Sequence, residues 1–599
     1  MKLNKFLLSA IAAASLTACS DSTDVVDNNK GHWNADGTGY VSLSISMPDN
    51  VGSKGSRATN DTFVKGDDKE YVVNNATLVI FSGNDGDKEG TYTLEAAYNL
   101  PLKFQTTGND NQQIISTAKI TQKINQIGKA NAKALVILNL PSKLTLVDND
   151  LKYDGTSYIG KTFADFQALK SELEVDVAKG FTMTNAPLTT GKSGATVPSS
   201  AATTTLATIN KKNIKPTAEE AEQNTAATIY VERSVAKVTV TKSSTASDKI
   251  EGTTNIKYSI KGFDLDNTNT TSFIVRNADE TATTWYKLKS NSNLVNGDDK
   301  YRFIGVSPVD GTSEESKKLY RTYWAKDPNY DNTTTAINSS SSTQDGEGHD
   351  RFVGIDKPKY CMENTFDVAH QTQVNTTRAI LRVQMYKNGE TAGKTYYMYN
   401  NDVNTFDSET DFNTNAVTTA NKLTAVLAGG KKVASIALED AKDESGNKIA
   451  GYKQIQSVTF EGETSSKTAG DAFIAIKNYF GKITVYTDGY AYYPVLIKHF
   501  GDQLTPWNEK DDKKEWTTQP SAGGIDQIYP TTNRDANYLG RYGVVRNNWY
   551  ELSVNKVMRP GSPVIDTPKN TPDDELNSYI SVSINILSWA KRKQDVDLQ

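Results

Sequence analysis

The sequence predicts a mainly β protein with a few helices, and three observations support this fold class. Apolar and small polar residues alternate from Val41 to Met47, and the same alternation recurs near the other end, from Ile580 to Ile586. Because successive side chains of a strand point to opposite faces, this period of two predicts half-buried strands. The chain is also rich in the β-forming residues Val, Ile and Thr, and it contains 29 Tyr.

The first residues predict export and lipid attachment. Two lysines precede an apolar run from Phe6 to Ala14, which is too short to cross a bilayer, since a span takes about 20 residues. The stretch from Leu16 to Cys19 resembles a bacterial lipobox, in which the chain is cut before the cysteine and its thiolate is acylated. We therefore expect a signal peptide at 1–18 and a membrane-tethering lipid on Cys19. A non-lipidated signal with an incidental cysteine is the alternative.

Charge and cysteine content narrow the class of protein. The 599 residues carry a formal net charge of −5, with acidic and basic residues intermixed. A stripe of Lys and Arg that could follow a phosphate backbone is absent from the sequence, so nucleic acid is not an expected partner. Once Cys19 carries lipid, Cys361 is the remaining cysteine, and the mature chain cannot form an internal disulfide.

Local patterns predict strands and one helix in the first part of the chain. Runs rich in β-branched and aromatic residues predict three strands, at 71–73, 76–81 and 134–140. A helix is predicted to begin at the capping pair Thr162 and Asp165. Its apolar residues recur at roughly helical spacing, at Phe163, Phe166, Leu169 and Leu173.

Composition divides the chain into segments. The stretch from Thr189 to Ala227 is rich in Thr, Ala, Ser and Lys, and its end is the predicted junction between two domains. A buried strand from Ile229 to Val240 is predicted to open the second domain, and Asn332 to Asp350 is predicted to be a surface insertion. The predicted order is a signal peptide (1–18), a lipidated propeptide (19–57), an N-terminal domain (58–227), a larger C-terminal domain with insertions (228–559), and a linker with a terminal strand (560–599).

The loop after the first predicted strand carries an isolated arginine. Asp49 to Asp61 is rich in Gly, Ser, Asn and Asp, which predicts an exposed and easily cleaved segment around Arg57. A cut after Arg57 would free the first strand with its lipid, and the C-terminal strand of another copy could then complete the sheet. Because such a contact is heterologous, its repetition builds an open filament. The alternative is that both terminal strands are ordinary edge strands of a monomer.

Several short motifs are spread along most of the chain. They are Met183-Thr184-Asn185, Val231 to Val238 (VERSVAKV), Tyr323 to Tyr330 (YWAKDPNY), Tyr360 to Thr365 (YCMENT), Tyr492-Tyr493-Pro494, Ile497 to Phe500 (IKHF), Thr505-Pro506-Trp507 and Tyr542 to Tyr550 (YGVVRNNWY). In their order and spread they resemble the motifs of the Bacteroidetes fimbrillins, the type V pilins, and most closely the short-fimbria major subunits.

This resemblance implies two transthyretin-like β-sandwich domains and polymerisation by donor-strand exchange. It implies trypsin-like cleavage between Arg57 and Ala58 of an outer-membrane lipoprotein precursor. The strand lost by this cleavage presents the apolar residues Val41, Leu43, Ile45 and Met47. The implied donor strand, which enters the groove of the next subunit, presents Ile580, Val582, Ile584 and Ile586. The implied partners are other copies of the chain, accessory anchor and tip subunits, and the processing protease.

Catalytic and metal sites are not supported by the residue patterns. Gly191-Lys192-Ser193 resembles the end of a phosphate-binding loop, but Ala186 stands where that motif needs Gly. Asp264 and Asp266 begin like a calcium loop whose later positions are unsuitable, which favours a turn. Cys361 is expected to be a buried apolar residue rather than a nucleophile. We therefore predict that the protein is not an enzyme and uses no cofactor and no metal.

Together these observations predict a shaft subunit of a cell-surface fimbria that supports adhesion. A tip or anchor subunit is the alternative within the family, because an anchor keeps its lipid and an end subunit needs only one of donor strand and groove. A monomeric surface lipoprotein that binds glycans is the alternative from another class. Its sugar platform would use exposed aromatic residues such as Trp324, Trp507 and Trp549.

Overall fold

Strands dominate the structure, and the helices are few. We describe the protein from a computed structural model that covers residues 31–46, 67–101, 117–190, 203–277, 303–306, 319–322, 325–328, 337–345, 348–366, 370–499, 542–571, 580–588 and 591–592. Several sheets pack against one another around apolar clusters. The predicted mainly β, sandwich-like fold class is confirmed.

One large sheet organises the N-terminal half. The strands of this half are β1 (Thr38–Ser46), β2 (Ala76–Gly83), β3 (Thr93–Asn99), β4 (Thr117–Asn125), β5 (Asn131–Leu138), β6 (Leu144–Val147), β7 (Asp150–Tyr153), β8 (Thr156–Ser157), β9 (Lys170–Ser171), β10 (Met183–Asn185), β11 (Leu188–Thr190), β12 (Thr203–Thr204), β13 (Ala207–Ile209) and β14 (Thr225–Arg233). The large sheet has the order β3-β2-β5-β10-β14-β1-β4, with β13 attached to β5.

This sheet curls around an apolar cluster. Leu43 of β1, Leu78 of β2 and Ile120 of β4 come from distant strands of the sheet and are all buried in the same cluster. The two edge strands also meet, because the backbone N–H of Asn125 on β4 donates a 2.9 Å hydrogen bond to Tyr98 Oη on β3. The first unit is therefore closer to a half-closed barrel than to an open sheet.

The C-terminal half is a sandwich with additions. Its strands are β15 (Val235–Lys242), β16 (Ile256–Asp266), β17 (Thr268–Asn269), β18 (Ser272–Phe273), β19 (Phe303–Val306), β20 (Leu319–Thr322), β21 (Ile337–Asn338), β22 (Lys359–Met362), β23 (Arg378–Lys387), β24 (Tyr396–Tyr399), β25 (Asp407–Ser408), β26 (Val433–Lys442), β27 (Lys448–Phe460), β28 (Ile483–Tyr486), β29 (Tyr490–Leu496), β30 (Asn548–Val557), β31 (Ile580–Ser588) and β32 (Lys591–Arg592). One sheet has the order β22-β15-β30-β31-β32 and the other β16-β23-β29. Val240, Leu381 and Leu552 lie in the buried cluster that these two sheets share.

A separate module is inserted between β23 and β29. Its sheet has the order β25-β24-β28-β27-β26, and it packs on helices through its own apolar cluster, which includes Phe412, Ile455 and Phe480. The α-helices of the described residues are α1 (Phe163–Gln167), α2 (Ala218–Glu222), α3 (Glu409–Ala420), α4 (Thr424–Ala428) and α5 (Asp471–Phe480). The sequence analysis expected insertions in the second domain but did not locate this module.

The predicted helix start is confirmed and the predicted helix length is wrong. Thr162 Oγ1 accepts a hydrogen bond from Asp165 N at 3.1 Å, and the Asp165 carboxylate accepts one from Thr162 N at 3.0 Å. Helix α1 nevertheless ends at Gln167, because the chain then pairs β9 with β18. Leu169 and Leu173 are buried outside the helix.

The chain passes from the first unit to the second at Ser234, between β14 and β15. β14 pairs with strands of the first sheet and β15 with strands of the sandwich, so the predicted single strand from Ile229 to Val240 is wrong. The predicted boundary after Ala227 falls inside β14. The preceding stretch also contributes to the core of the first unit, since Ile209 and Ile214 are buried.

Two further local predictions are wrong. Tyr71 ends a 3-10 helix from Asp68 to Tyr71 instead of opening a strand at 71–73. Asp264 and Asp266 lie within β16 instead of in a turn.

Candidate functional site

The first strand lies inside the sheet, not at its edge. β1 pairs in parallel with β14, where Leu43 is opposite Ala227 and Ile45 is opposite Ile229. It pairs antiparallel with β4, where Leu43 is opposite Ile120. Among the described residues, β1 is the only strand that pairs with β4. A monomer in which β1 is a simple edge strand is therefore not what the structure shows.

The alternation predicted for β1 matches its burial. Val41, Leu43 and Ile45 are each 0% exposed and lie in the core of the first unit, whereas Ser44 and Ser46 are half-buried on the other face. Each buried aliphatic side chain of this kind stabilises a fold by about 1.5–3 kcal/mol. Residue 47, the fourth apolar position, lies outside the described residues.

The segment before β1 and the first residues of β1 contact the loop that precedes helix α2. His32 N donates to Ile214 O at 3.2 Å, and Tyr40 N and Lys215 N exchange backbone hydrogen bonds with each other's carbonyls. Gly39 is in close contact with Ile214, because a Cβ at this glycine would lie 2.9 Å from Ile214 Cγ2. The groove that holds β1 therefore accepts no bulky residue at position 39.

The predicted donor strand is β31, and the structure pairs it with β30. The two strands are antiparallel, with Tyr550 opposite Ile586, Leu552 opposite Ile584 and Val554 opposite Val582. The short strand β32 is the other neighbour of β31 in this sheet. β30 itself runs parallel to β15, as β1 runs parallel to β14, so the second unit has its own strand in the position that β1 occupies in the first.

The predicted lipidation residue Cys19 and the predicted cleavage residues Arg57 and Ala58 lie outside the described residues. Arg57 is in the segment between the end of β1 at Ser46 and Asp67. Cleavage there would separate β1 from everything that follows it.

The chain after this segment is fixed to the second unit through Glu70. The Glu70 carboxylate accepts a hydrogen bond from Tyr360 Oη at 2.5 Å and lies 2.6 Å from Lys237 Nζ, and Arg233 Nε donates to Glu70 O at 3.1 Å. Burial, and next the Glu70 charge, raise the pKa of Tyr360 well above its ordinary value, so its phenol stays protonated and donates. Trp549 covers Lys237 Nζ at 3.9 Å from its ring centroid.

Glu70→Ala is expected to destabilise the protein by about 3–5 kcal/mol, because it removes a buried carboxylate that lies 2.6 Å from the buried Lys237 ammonium. The Glu70 and Lys237 side chains are 0% and 6% exposed. Urea unfolding followed by circular dichroism measures this loss. Lys556→Ala is the matched control, since it breaks an exposed pair with Glu251 and should cost less than about 1 kcal/mol. Equal effects of the two changes would contradict the importance of the Glu70 contact.

A second buried ionic cluster joins the two units, and the sequence analysis did not identify it. Arg276 lies 3.2 Å from Glu232 of β14 and 3.6 Å from Glu363, and Arg546 Nε lies 3.3 Å from the other oxygen of Glu363. These four side chains are at most 2% exposed. Three of them, Glu232, Glu363 and Arg546, belong to the motifs VERSVAKV, YCMENT and YGVVRNNWY. Motifs that are far apart in sequence thus meet at the joint between the units, and the charged residues that these motifs carry were the signal for it.

The other candidate residues of the sequence analysis form ion pairs within the protein or are buried in it. Asp264 pairs with Arg351 at 2.6 Å and with Lys359, and Asp266 pairs with Arg378 at 2.7 Å. Burial raises the pKa of the Cys361 thiol to about 12, so it carries little nucleophilic thiolate at neutral pH. Across the described ranges, Asp, Glu, His and Cys side chains form no group of three or more that could hold a metal ion. The segment Gly191-Lys192-Ser193 lies outside these ranges.

Within the described ranges, no helix is both long enough and apolar enough to cross a bilayer.

A known protein family matches the C-terminal part of the chain. Residues 527–595, which include β30, β31 and β32, match the family described as major fimbrial subunit protein type IV, fimbrillin, C-terminal. No curated protein sequence matches the chain significantly.

Solved structures of low similarity span most of the chain. A candidate cell-adhesion protein from Parabacteroides distasonis is 11% identical with a TM-score of 0.35, over 92% of this chain and 98% of that one. The tip fimbrial protein Mfa3 from Porphyromonas gingivalis, with a C-terminal truncation, is 12% identical with a TM-score of 0.25, over 92% of this chain and 100% of that one. These scores are too low to carry an argument, so the assignment rests on the family match. That match confirms, for residues 527–595, the resemblance to the fimbrillins found in the sequence.

Proposed function

We propose that this protein is a shaft subunit of a cell-surface fimbria. It is exported as an outer-membrane lipoprotein precursor acylated at Cys19 and is cleaved between Arg57 and Ala58. It then polymerises by donor-strand exchange, with β1 leaving and the C-terminal strand of another copy taking its place. The family match supports a fimbrial and structural role rather than an enzymatic one, and the finer steps are our proposal.

The observation that carries this proposal is the interior position of β1. Its removal would leave an open groove between β14 and β4, with the backbone groups that line this groove on both strands unpaired. Val41, Leu43 and Ile45 together contribute about 5–9 kcal/mol of apolar burial, and each ladder hydrogen bond adds about 0.5–1.5 kcal/mol. Binding of a strand with a similar alternation of apolar residues in this groove would therefore be strongly favourable in free energy.

The place of β31 in the second unit supports its role as donor. The sheet order β22-β15-β30-β31-β32 puts β31 and the short β32 outside β30. Both can therefore leave without breaking the pairing of β30 with β15. The chain thus has both a groove and a spare strand, whereas an end subunit needs only one of them.

The glycan-binding alternative finds no support in Trp549. Its Nε1 donates to Thr239 Oγ1 at 2.8 Å, and its ring covers Lys237. The indole is therefore engaged within the protein. Trp324 and Trp507 lie outside the described residues.

Electron microscopy of the purified full-length precursor, with and without trypsin, tests the proposal. We expect filaments to form only after cleavage, because β1 blocks the groove until its connection is cut. A cleaved chain that stays monomeric with residues 38–46 still bound would overturn the proposal. Mass spectrometry of the cleaved material establishes which of these fragments remains.

A further inference from the structure

The two terminal strands resemble each other residue by residue when they are read in the same direction. Tyr40 to Met47 reads YVSLSISM, and Tyr579 to Ile586 reads YISVSINI. Tyrosine, two serines and one isoleucine are identical. The remaining positions exchange one aliphatic or apolar residue for another, or Ser for Asn. This similarity suggests that the two segments fit one groove in one direction.

We propose that the C-terminal strand of one copy enters the groove of another in the same direction as β1, with Ile580 in the place of Val41. Val582 and Ile584 then take the places of Leu43 and Ile45. The incoming strand runs parallel to β14 and antiparallel to β4, as β1 does. This inference rests on the proposed function, and it adds the direction and the register of the exchange.

The site of Ser42 favours this direction. Ser42 is 0% exposed, and its hydroxyl has no hydrogen-bond partner among the described residues. In the proposed direction a serine, Ser581, takes this place. In the opposite direction, with Ile586 at the site of Val41, the larger amide of Asn585 would occupy it. A buried amide without partners is unfavourable, and the site offers no partner even to a hydroxyl.

Position 39 excludes a slide of the strand by two residues. Such a slide would bring Ile580 to the place of Gly39, where even a Cβ would lie 2.9 Å from Ile214 Cγ2. The opposite strand direction has the same difficulty when Ser583 is placed at the site of Ser42, since Ile586 then falls at position 39.

Shifts of the incoming strand in the other direction are excluded because they would place polar side chains in the apolar core. A shift by two residues in that sense would put Ser578 at the site of Val41, which is 0% exposed. A shift by one residue would turn all the apolar side chains to the wrong face. The bulge in β14 fixes the register as well, because Ser42 pairs with Thr225 and Leu43 with Ala227.

Cysteine pairs test the direction and the register together. Ser42 is opposite Thr121 on β4, and Ser46 is opposite Thr117. The proposal therefore predicts that Ser581→Cys cross-links to Thr121→Cys, and Asn585→Cys to Thr117→Cys, between neighbouring copies. The swapped pairs, Ser581→Cys with Thr117→Cys and Asn585→Cys with Thr121→Cys, are the matched controls.

Each pair is introduced into the full-length precursor, which is cleaved, allowed to assemble in reductant and then oxidised. Heated gels without reductant should show most of the protein in a covalent ladder for the predicted pairs, and monomer for the swapped pairs. The native cysteines do not interfere, since Cys19 leaves with the propeptide and Cys361 is buried.

The outcomes separate this inference from the proposed function. Ladders from the swapped pairs would overturn the direction, and filaments that cross-link through none of the four pairs would overturn the register. If the unchanged chain forms no filaments after cleavage, the proposed function fails, and this inference fails with it. Covalently closed monomers instead of ladders would show that the strand returns to its own chain, which also overturns the proposal.

Discussion

Arg57→Ala precursor treated with an arginine-specific protease is expected to remain monomeric under conditions in which the unchanged chain forms filaments. β1 ends at Ser46 and is held between β14 and β4, so no other strand can take its place while it remains connected to the domain. We expect the loss of filaments to be complete rather than partial, because every uncut subunit keeps its own groove filled. Electron microscopy and gel ladders of unheated samples measure the effect.

Two further variants show whether the position of the cut is what matters. Lys54→Ala should polymerise like the unchanged chain, because an arginine-specific protease does not use it. The double variant Lys54→Arg with Arg57→Ala should regain polymerisation, since a cut after residue 54 still separates β1 from the domain. Filaments from uncut Arg57→Ala chains would refute the requirement for processing.

Deletion of residues 578–599 is expected to give monomers that accept a strand but cannot donate one. These chains lack β31 and β32, while β30 keeps its pairing with β15. Alone, they should form no filaments after cleavage. Mixed with intact cleaved chains they should end growing filaments, and the mean filament length in electron micrographs should fall as their fraction rises.

Controls separate loss of the donor from loss of folding. Deletion of 593–599, beyond β32, should leave polymerisation unchanged. The full-length variant with Val582→Ser and Ile584→Ser keeps the strand but removes apolar groups that would enter the groove, so it should polymerise far less than the unchanged chain. Circular dichroism confirms that each variant is folded. Normal filaments from chains without residues 578–599 would exclude β31 as the donor.

Local sequence signals predicted much of the secondary structure. The alternation from Val41 to Ile45 gave the buried face of β1 correctly, because the period of a strand is encoded in neighbouring residues. The capping pair Thr162 and Asp165 likewise located the start of a helix. The length of that helix was not predictable in this way, since pairing of β9 with the distant β18 ends it.

Long-range pairing accounts for what the sequence did not predict. Nothing near β1 indicates that it lies between β14 and β4, because those strands come from remote segments. Apolar, β-forming residues continue on both sides of the break at Ser234, so a periodicity argument treats β14 and β15 as one strand. Glu70 was overlooked for a similar reason: its partners, Lys237 and Tyr360, are brought to it only by the packing of the two units.

The dependence of β4 on β1 has a consequence for the energetics of assembly. Of the described strands, β1 alone pairs with β4, so the receiving surface is held in shape by the segment that our proposal discards. On cleavage the subunit would become a short-lived, partly unfolded species with an exposed apolar interior. The free energy that drives filament elongation would then already be present in the folded precursor. Hydrolysis of a single peptide bond would release this free energy outside the cell, without hydrolysis of a nucleotide.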